Sequence, residues 1–247
     1  MREIDVAILA LGMDERRGPY APTPLSTLPN GRTILQQQVE NVRRIFADRA
    51  RITVVVTHQF EKIVRHVDGV AFVFNESYRE TNTGKSLRRA LVESGSGPFY
   101  WMTGDLVFHP DVLTRLAASV YGGTSAVAAM PDHQAGDGRM RYRECLEGGI
   151  ICDISGAIPP ELTTGEAIGM GGLTPADKAL VLEHLTRSDD FDFFERGLQL
   201  AVQRDEMRLL PVDVTDLYAV KVVSGADLDE ARASYAQHDR GPRDAGT

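Results

Sequence analysis

Two hydrophobic periods alternate along the chain. Val6 to Leu11 is an unbroken apolar run closed by Gly12, the pattern of a parallel strand buried on both faces. Beyond a polar loop, Ile34, Leu35, Val39, Val42, Ile45 and Phe46 recur at helical spacing behind Thr33, a candidate N-cap, and predict a helix from Thr33 to Ala47. Strands follow at Ile52–Val56, Val70–Phe74 and Phe99–Met102, with helices at Glu61–His66 and Gly84–Glu93 between them. Strand and helix in regular succession mean βαβ units and a parallel sheet. Pro110 opens a further helix to about Ser119, and Ser125–Met130 is a further strand.

The pattern then changes. Arg139–Cys145 and Ile150–Ile154, joined through Glu147-Gly148-Gly149, predict a β-hairpin, and Ile168–Leu173 a short strand; residues 131 to 173 are expected to form a small β-rich lid. Helices at Pro175–Arg187, Phe191–Gln203 and Ala226–Tyr235 and strands at Met207–Val212 and Ala219–Val223 complete one domain over residues 1–236. The polar stretch 237–247 is expected to be a disordered tail. The fold class is therefore α/β, a Rossmann-like, mostly parallel sheet sandwiched by helices.

Charge narrows the partners. With 35 Asp and Glu against 27 Lys and Arg, a net charge of −8 argues against nucleic acid or an anionic membrane surface. No apolar run approaches the length of a membrane span, and the N-terminus enters its first strand without a signal cleavage pattern, so a cytoplasmic protein is expected. Lysine is scarce, limited to Lys62, Lys85, Lys178 and Lys221. Counting outward from a two-residue turn sets Cys145 opposite Cys152 as a hydrogen-bonded pair, whose spacing disfavours a bridge, and both are expected to be free thiols. The histidines show no zinc spacing, and no G-x-S-x-G elbow occurs.

In a parallel sheet, ligands bind beyond the carboxyl ends of the strands, so the loops after Leu11, Phe74 and Met102 should share a crevice. Their residues resemble the nucleotidyltransferase superfamily, particularly its sugar-phosphate, phosphocholine and phosphonate cytidylyltransferase-like members, over residues 4 to 235. Leu9-Ala10-Leu11-Gly12-Met13-Asp14-Glu15-Arg16 is similar to the family's L-A-A-G-x-G-x-R loop, which cradles a triphosphate. Pro22-Thr23-Pro24-Leu25 is similar to P-K-P-L, with Thr23 in the place of the Lys. Asn75 to Leu87 is similar to N-x-x-Y-x-x-T-N-N-x-x-S-L, with Asn75, Tyr78, Thr81, Asn82, Ser86 and Leu87 in register. Gly104-Asp105 matches the strand-ending G-D whose Asp holds Mg²⁺. Lys221-Val222-Val223 stands where the family has E-I-D, so Val223 replaces the second metal carboxylate and Lys221 the Glu.

The resemblance implies a GT-A-like fold and a set of site residues. Arg16, Asp105 and Lys221 are expected to be catalytic, with Asp105 also the metal ligand. Leu9, Ala10, Leu11, Gly12, Met13, Asn82, Ser86 and Gly104 are expected at the nucleotide, and Tyr78, Lys85 and Gly171 at the acceptor. Residue by residue, plainer readings stand beside these. Asn82 caps a helix in any case, and Asp105 is either a metal ligand or a turn-capping carboxylate. Lys85, whose charge opposes the helix dipole, meets either an anionic ligand or solvent. Lys221 pairs either with Asp105 or with a surface carboxylate such as Asp216.

The implied activity is transfer of CMP from CTP to a small phosphorylated or phosphonylated alcohol, with release of pyrophosphate. The changes at Asp14, Thr23 and Val223 place Mg²⁺ in doubt and keep a second reading open: a divergent relative that binds a nucleotide or small anion without Mg²⁺-dependent transfer, or runs another reaction. A nucleotide-sugar glycosyltransferase is a third, although Gly104-Asp105-Leu106-Val107 lacks a D-x-D.

Overall fold

The computed structural model describes residues 3–11, 23–57, 60–131, 140–145 and 149–238. β1 (Ile4–Ala10) is buried at all seven positions. Ile4, Val6, Ile8 and Ala10 enter one core and Ala7 and Leu9 another, as a continuous apolar run in a central strand requires. β2 (Ala50–Val56) and β4 (Phe99–Thr103) flank it in parallel, and β3 (Ala71–Phe74) pairs in parallel with β2 at one edge. Beyond β4 lies β9 (Gly165–Leu173), antiparallel both to β4 and to β6 (Ser125–Pro131), and β10 (Leu209–Asp213) pairs in parallel with β6. The order is β10-β6-β9-β4-β1-β2-β3. A hairpin of β7 (Met140–Cys145) and β8 (Ile150–Ser155) joins this sheet through β7 and β9.

Helices cover both faces. α1 (Ile34–Phe46), α2 (Phe60–Val64) and α4 (Asp111–Tyr121) bury their apolar stripes on one side, and α3 (Thr83–Val92), α5 (Pro175–Arg187) and α6 (Glu195–Gln203) on the other. Thr33 caps α1 as expected, in a capping box with Gln36. Among the described residues no helix is long and apolar enough to cross a membrane.

The structure departs from the sequence pattern at several places. Ile168–Leu173, expected in the lid, belongs to β9 in the middle of the main sheet, because its run of small residues lets bulky neighbours close over it. A Cβ on Gly171 would fall 2.4 Å from the Trp101 ring, and one on Gly172 2.8 Å from Tyr100. Leu106–Phe108, too short to register as a strand, forms β5. It pairs antiparallel with β11 (Ala219–Lys221) in a separate ribbon, which α7 (Gly225–His238) covers through Val107, Val222, Ala231 and Tyr235. Cys145 faces Ile150 rather than Cys152, since the register shifts between Arg143 and Glu144; Cys152 is a free thiol. α7 runs through Gln237 and His238, the first residues of the expected tail. α6 begins at Glu195, four residues later than predicted, because residues 191–194 are tied to α3 instead.

Candidate active site

A cleft of about 520 Å³ opens at the carboxyl ends of β1, β2, β3 and β4, where a parallel sheet is expected to bind its ligand. Of the expected nucleotide residues, Leu9, Leu11, Asn82, Ser86 and Gly104 line it, as do Tyr78, Asp105 and Lys221, and also Thr23 and Val223 at the two substituted positions. Ala10 does not line it; its side chain is buried on the α1 side of the sheet. Gly12, Met13, Asp14, Glu15 and Arg16 lie outside the described residues. Gly171, expected at the acceptor, is a packing glycine under Trp101 and is absent from the cleft lining.

One wall is built from β3, the turns after it and α3. Asn75 follows β3 directly, is 1% exposed, and donates from Nδ2 to Thr81 Oγ1 (3.1 Å) and Ser86 Oγ (3.0 Å). Thr81 donates its own hydroxyl proton to the Ser77 carbonyl (2.9 Å), so it can only accept from Asn75, and this fixes which way the amide points. Asn75 Oδ1 is left buried without a partner. The wall carries hydroxyls and amides from Thr57, Asn75, Thr81 and Ser86, and the Tyr78 ring.

The first turn of a helix such as α3 offers main-chain N–H groups that can cradle an anion. In the structure, main-chain carbonyls of the segment leading into α6 fill it: Asp190 O accepts from Asn82 N (2.8 Å), and Asp192 O from Gly84 N (3.1 Å). The Asn82 side chain caps Thr83 N (2.8 Å) and donates to Phe191 O (3.1 Å). Position 84 favours glycine, since a Cβ there would lie 2.7 Å from Asp192 O and force the backbone to shift. Lys85 is likewise taken up within the fold. It donates to Ser188 O (2.7 Å) at the end of α5 and pairs with Asp190 (3.4 Å), which explains a lysine in the first turn of α3 without an external anion.

The other wall is built from β5, β11 and the start of α6. Gly104 permits the β4–β5 turn to lie on β1, where a Cβ would fall 2.9 Å from Ala10 Cα. Asp105 follows. Its carbonyl accepts from Val222 N (2.8 Å), so the K-V-V segment sits beside it as the resemblance implies, while its Oδ1 is buried and unpartnered. Strand alternation holds: Val222 is buried, whereas Lys221 and Val223 both face the cleft, Val223 with 60% of its surface exposed. No ion pair joins Lys221 to Asp105 among the described residues. Asp216, the plainer alternative partner, is held by Arg115 at 2.6 Å through both oxygens. Of the four lysines, Lys85 and Lys178 bind main-chain carbonyls, and Lys221 is the one in the cleft.

Sequence reasoning missed Glu195. It opens α6, is 8% exposed, lines the cleft, and leaves Oε2 without a partner. Burial pushes its carboxyl up to about 7, against weaker downward pulls from its own main-chain N–H and then from the Lys221 ammonium. Nothing in the local sequence marks it, because its burial depends on residues 190–194 lying across α3.

Among the described residues, donors for a cation are few. No group of three or more His, Cys, Asp or Glu side chains forms a metal cage among the described residues. Asp227, the next carboxylate after Val223, caps Val223 N and Ser224 N (2.9 and 2.6 Å). Mg²⁺ is commonly held by one or two carboxylates plus substrate phosphates, so Asp105 with its free oxygen fits a metal that arrives with a nucleotide.

The MobA-like NTP transferase domain model matches residues 6–184. Among curated proteins no sequence relative matches. Similar solved structures include a UDP-glucose pyrophosphorylase complexed with UDP-glucose (TM-score 0.75, 16% identity, covering 96% of this chain and 99% of that one). The inositol-1-phosphate CTP transferase from T. maritima (TM-score 0.72, 18% identity, 96% and 97%) is another. A third is the CTP:phosphocholine cytidylyltransferase from Streptococcus pneumoniae (TM-score 0.69, 14% identity, 94% and 98%). At these identities the likeness is one of fold.

Proposed function

The chain belongs to the MobA-like NTP transferase family, and on that premise we propose that it transfers CMP from CTP to a small phosphorylated or phosphonylated alcohol, releasing pyrophosphate. The observation that carries the reading is the Asp105 carboxylate. Asp105 lines the cleft with one carboxylate oxygen buried and unpartnered, and its main-chain carbonyl accepts from Val222, next to Lys221 at the end of β11. In the reaction an acceptor phosphate or phosphonate oxygen attacks the α-phosphorus of CTP, and the bond to the oxygen bridging the α- and β-phosphates breaks. Such a displacement needs positioning and charge stabilisation more than a covalent nucleophile. Asp105 would hold Mg²⁺, which neutralises phosphate charge when bound. Lys221 supplies a cation on the same side, whereas the pattern that the sequence resembles has a Lys at the position of Thr23. On the opposite wall, Asn75 Oδ1 accepts from the exocyclic amine of the base, and the Tyr78 ring offers a face to it.

Val223 and Thr23 in the cleft lining favour a second reading, nucleotide binding without transfer. Thermal unfolding with CTP, UTP, GTP and ATP, each with and without Mg²⁺, together with pyrophosphate release in the presence of phosphocholine or 2-aminoethylphosphonate, separates the two. A nucleotide at 100 times its dissociation constant should add about 2.7 kcal/mol of stability, with CTP the most effective and pyrophosphate appearing once acceptor is added. Stabilisation without pyrophosphate would establish the second reading, and no stabilisation by any triphosphate would overturn both.

A further inference from the structure

Glu195 belongs to two cavities. Besides the nucleotide cleft it lines a neighbouring groove of about 450 Å³, bounded by the β7–β8 hairpin at Met140, Ile154 and Ser155 and by the segment leading into α6. A ligand reaching from one to the other passes its carboxyl. Among the described residues the groove is acidic: Asp189 and Asp192 line it with Glu195, against one guanidinium, Arg196, which donates to Gln199 (2.7 Å). The two aspartates accept main-chain N–H groups of their own turn, Asp189 from Phe191 and Asp192 from Asp189, while Glu195 Oε2 has no partner at all. A carboxyl oxygen held nine-tenths buried and unmet is a costly arrangement unless a ligand supplies its donor.

We propose that Glu195 selects the acceptor: it accepts a hydrogen bond from a hydroxyl or ammonium at the end of the acceptor remote from its phosphate, and with Asp189 and Asp192 it turns away acceptors that carry a second anion there. This rests on the nucleotidyl-transfer reading for the position of the phosphate, which lies toward Lys221. A second anion in the groove would meet three carboxylates in a partly desolvated space, where like charges repel far more than in water. A neutral hydroxyl or an ammonium would meet an acceptor already in place. The exposed Phe193 ring, shared by cleft and groove, covers the apolar part of such a ligand.

The test uses four small phosphates of nearly equal size: 2-hydroxyethyl phosphate, 2-aminoethyl phosphate, ethyl phosphate and phosphoglycolate. Calorimetry at pH 8 measures their binding to the full chain with CTP absent and present, and pyrophosphate release is followed in parallel. The hydroxyethyl and aminoethyl compounds should bind at least tenfold more tightly than ethyl phosphate, and phosphoglycolate most weakly. Glu195→Gln should shrink the preference for 2-hydroxyethyl phosphate over phosphoglycolate about tenfold through weaker binding of the former, appearing in KM rather than kcat. Thermal stabilisation by CTP should be unchanged. Glu195→Asp, which keeps the charge, should retain part of the preference and guards against a folding defect in the amide variant. Equal binding of all four compounds, no binding by any, or a preference that survives Glu195→Gln would each overturn the proposal. Glu195-dependent discrimination without pyrophosphate release would uphold it and instead sink the transferase reading.

Discussion

The two walls of the cleft are built on opposite plans. Along β3 and the start of α3, the polar side chains at the cleft are fixed mainly by near neighbours in sequence: Asn75 by Thr81 and Ser86, and Thr81 by Ser77, while Asn82 caps Thr83 N and also reaches Phe191 O. That wall is neutral and pre-set. Along β5, β11 and α6 the groups are charged and weakly paired, with an unpartnered oxygen on Asp105 and another on Glu195, and with Lys221 outside any ion pair among the described residues. A neutral, rigid surface discriminates by shape and hydrogen bonding, as a base requires. On the proposed function, a charged surface with unmet acceptors is completed by the cation that accompanies the phosphates and by a donor group on the acceptor. The residues that carry the sequence resemblance are concentrated on the first wall, and on the second Val223 and Lys221 depart from it.

The largest test of this contrast is removal of charge from the second wall. Asp105→Asn keeps the shape and deletes the carboxylate, and should lower the rate of pyrophosphate release by about 10² to 10³, the usual loss when a group stabilising transferred charge is removed. Circular dichroism and the melting temperature should be little changed, because Asp105 contributes its main-chain carbonyl, not its side chain, to the bond with Val222. A rate within threefold of the parent would reduce Asp105 to a turn residue and leave the wall without its centre.

A second test reads the cost of leaving Glu195 unmet. Its folded carboxyl, pushed to about 7, lies above the unfolded value of 4.5. Between those values the folded state binds the extra proton, so stability contributed by the neutral form is full below pH 4.5 and is lost as pH rises through 7. Glu195→Gln has no such proton. The stability of the variant relative to the parent, by urea unfolding without ligand, should therefore climb by about 3 kcal/mol between pH 4.5 and pH 8. A flat difference would show that the carboxyl is solvated or paired in solution, and the two walls would then differ less than the structure indicates.

The same contrast explains what was legible in the sequence. Asn75 to Leu87 is a contiguous motif, and the bonds among Asn75, Ser77, Thr81 and Ser86 are local, so its register could be read directly. β1 was equally plain, since a strand buried on both faces needs an unbroken apolar run. Glu195 was invisible because its burial comes from the chain crossing α3, a tertiary event at a separation of over a hundred residues. Lys85 was misread for a related reason: its counter-charge and acceptors, Asp190 and the carbonyl of Ser188, lie just as far along the chain. β9 escaped assignment to the main sheet because its small residues carry no hydrophobic signal, their role being to admit Trp101 and Tyr100.

The smallest expected effect links the walls. Gly84 lies in the first turn of α3 on the neutral wall, and its N–H donates to the carbonyl of Asp192, three residues before Glu195 on the charged one. Helix propensity alone makes Gly84→Ala stabilising by up to about 1 kcal/mol. The structure predicts the opposite sign. A methyl group 2.7 Å from Asp192 O meets backbone rather than a flexible side-chain end, so the segment must lift from α3 or the helix must shift. Such overpacking costs about 1 to 3 kcal/mol, giving a net loss of up to about 2 kcal/mol in urea unfolding once the propensity gain is set against it. Because the displaced segment leads directly into α6, the variant should also weaken the preference for 2-hydroxyethyl phosphate over phosphoglycolate while leaving Asn75 and its partners in place, so that CTP still stabilises the protein. A gain in stability would mean that the two walls are not braced against each other at this point, and that the position of Glu195 is set by α5 and α6 alone.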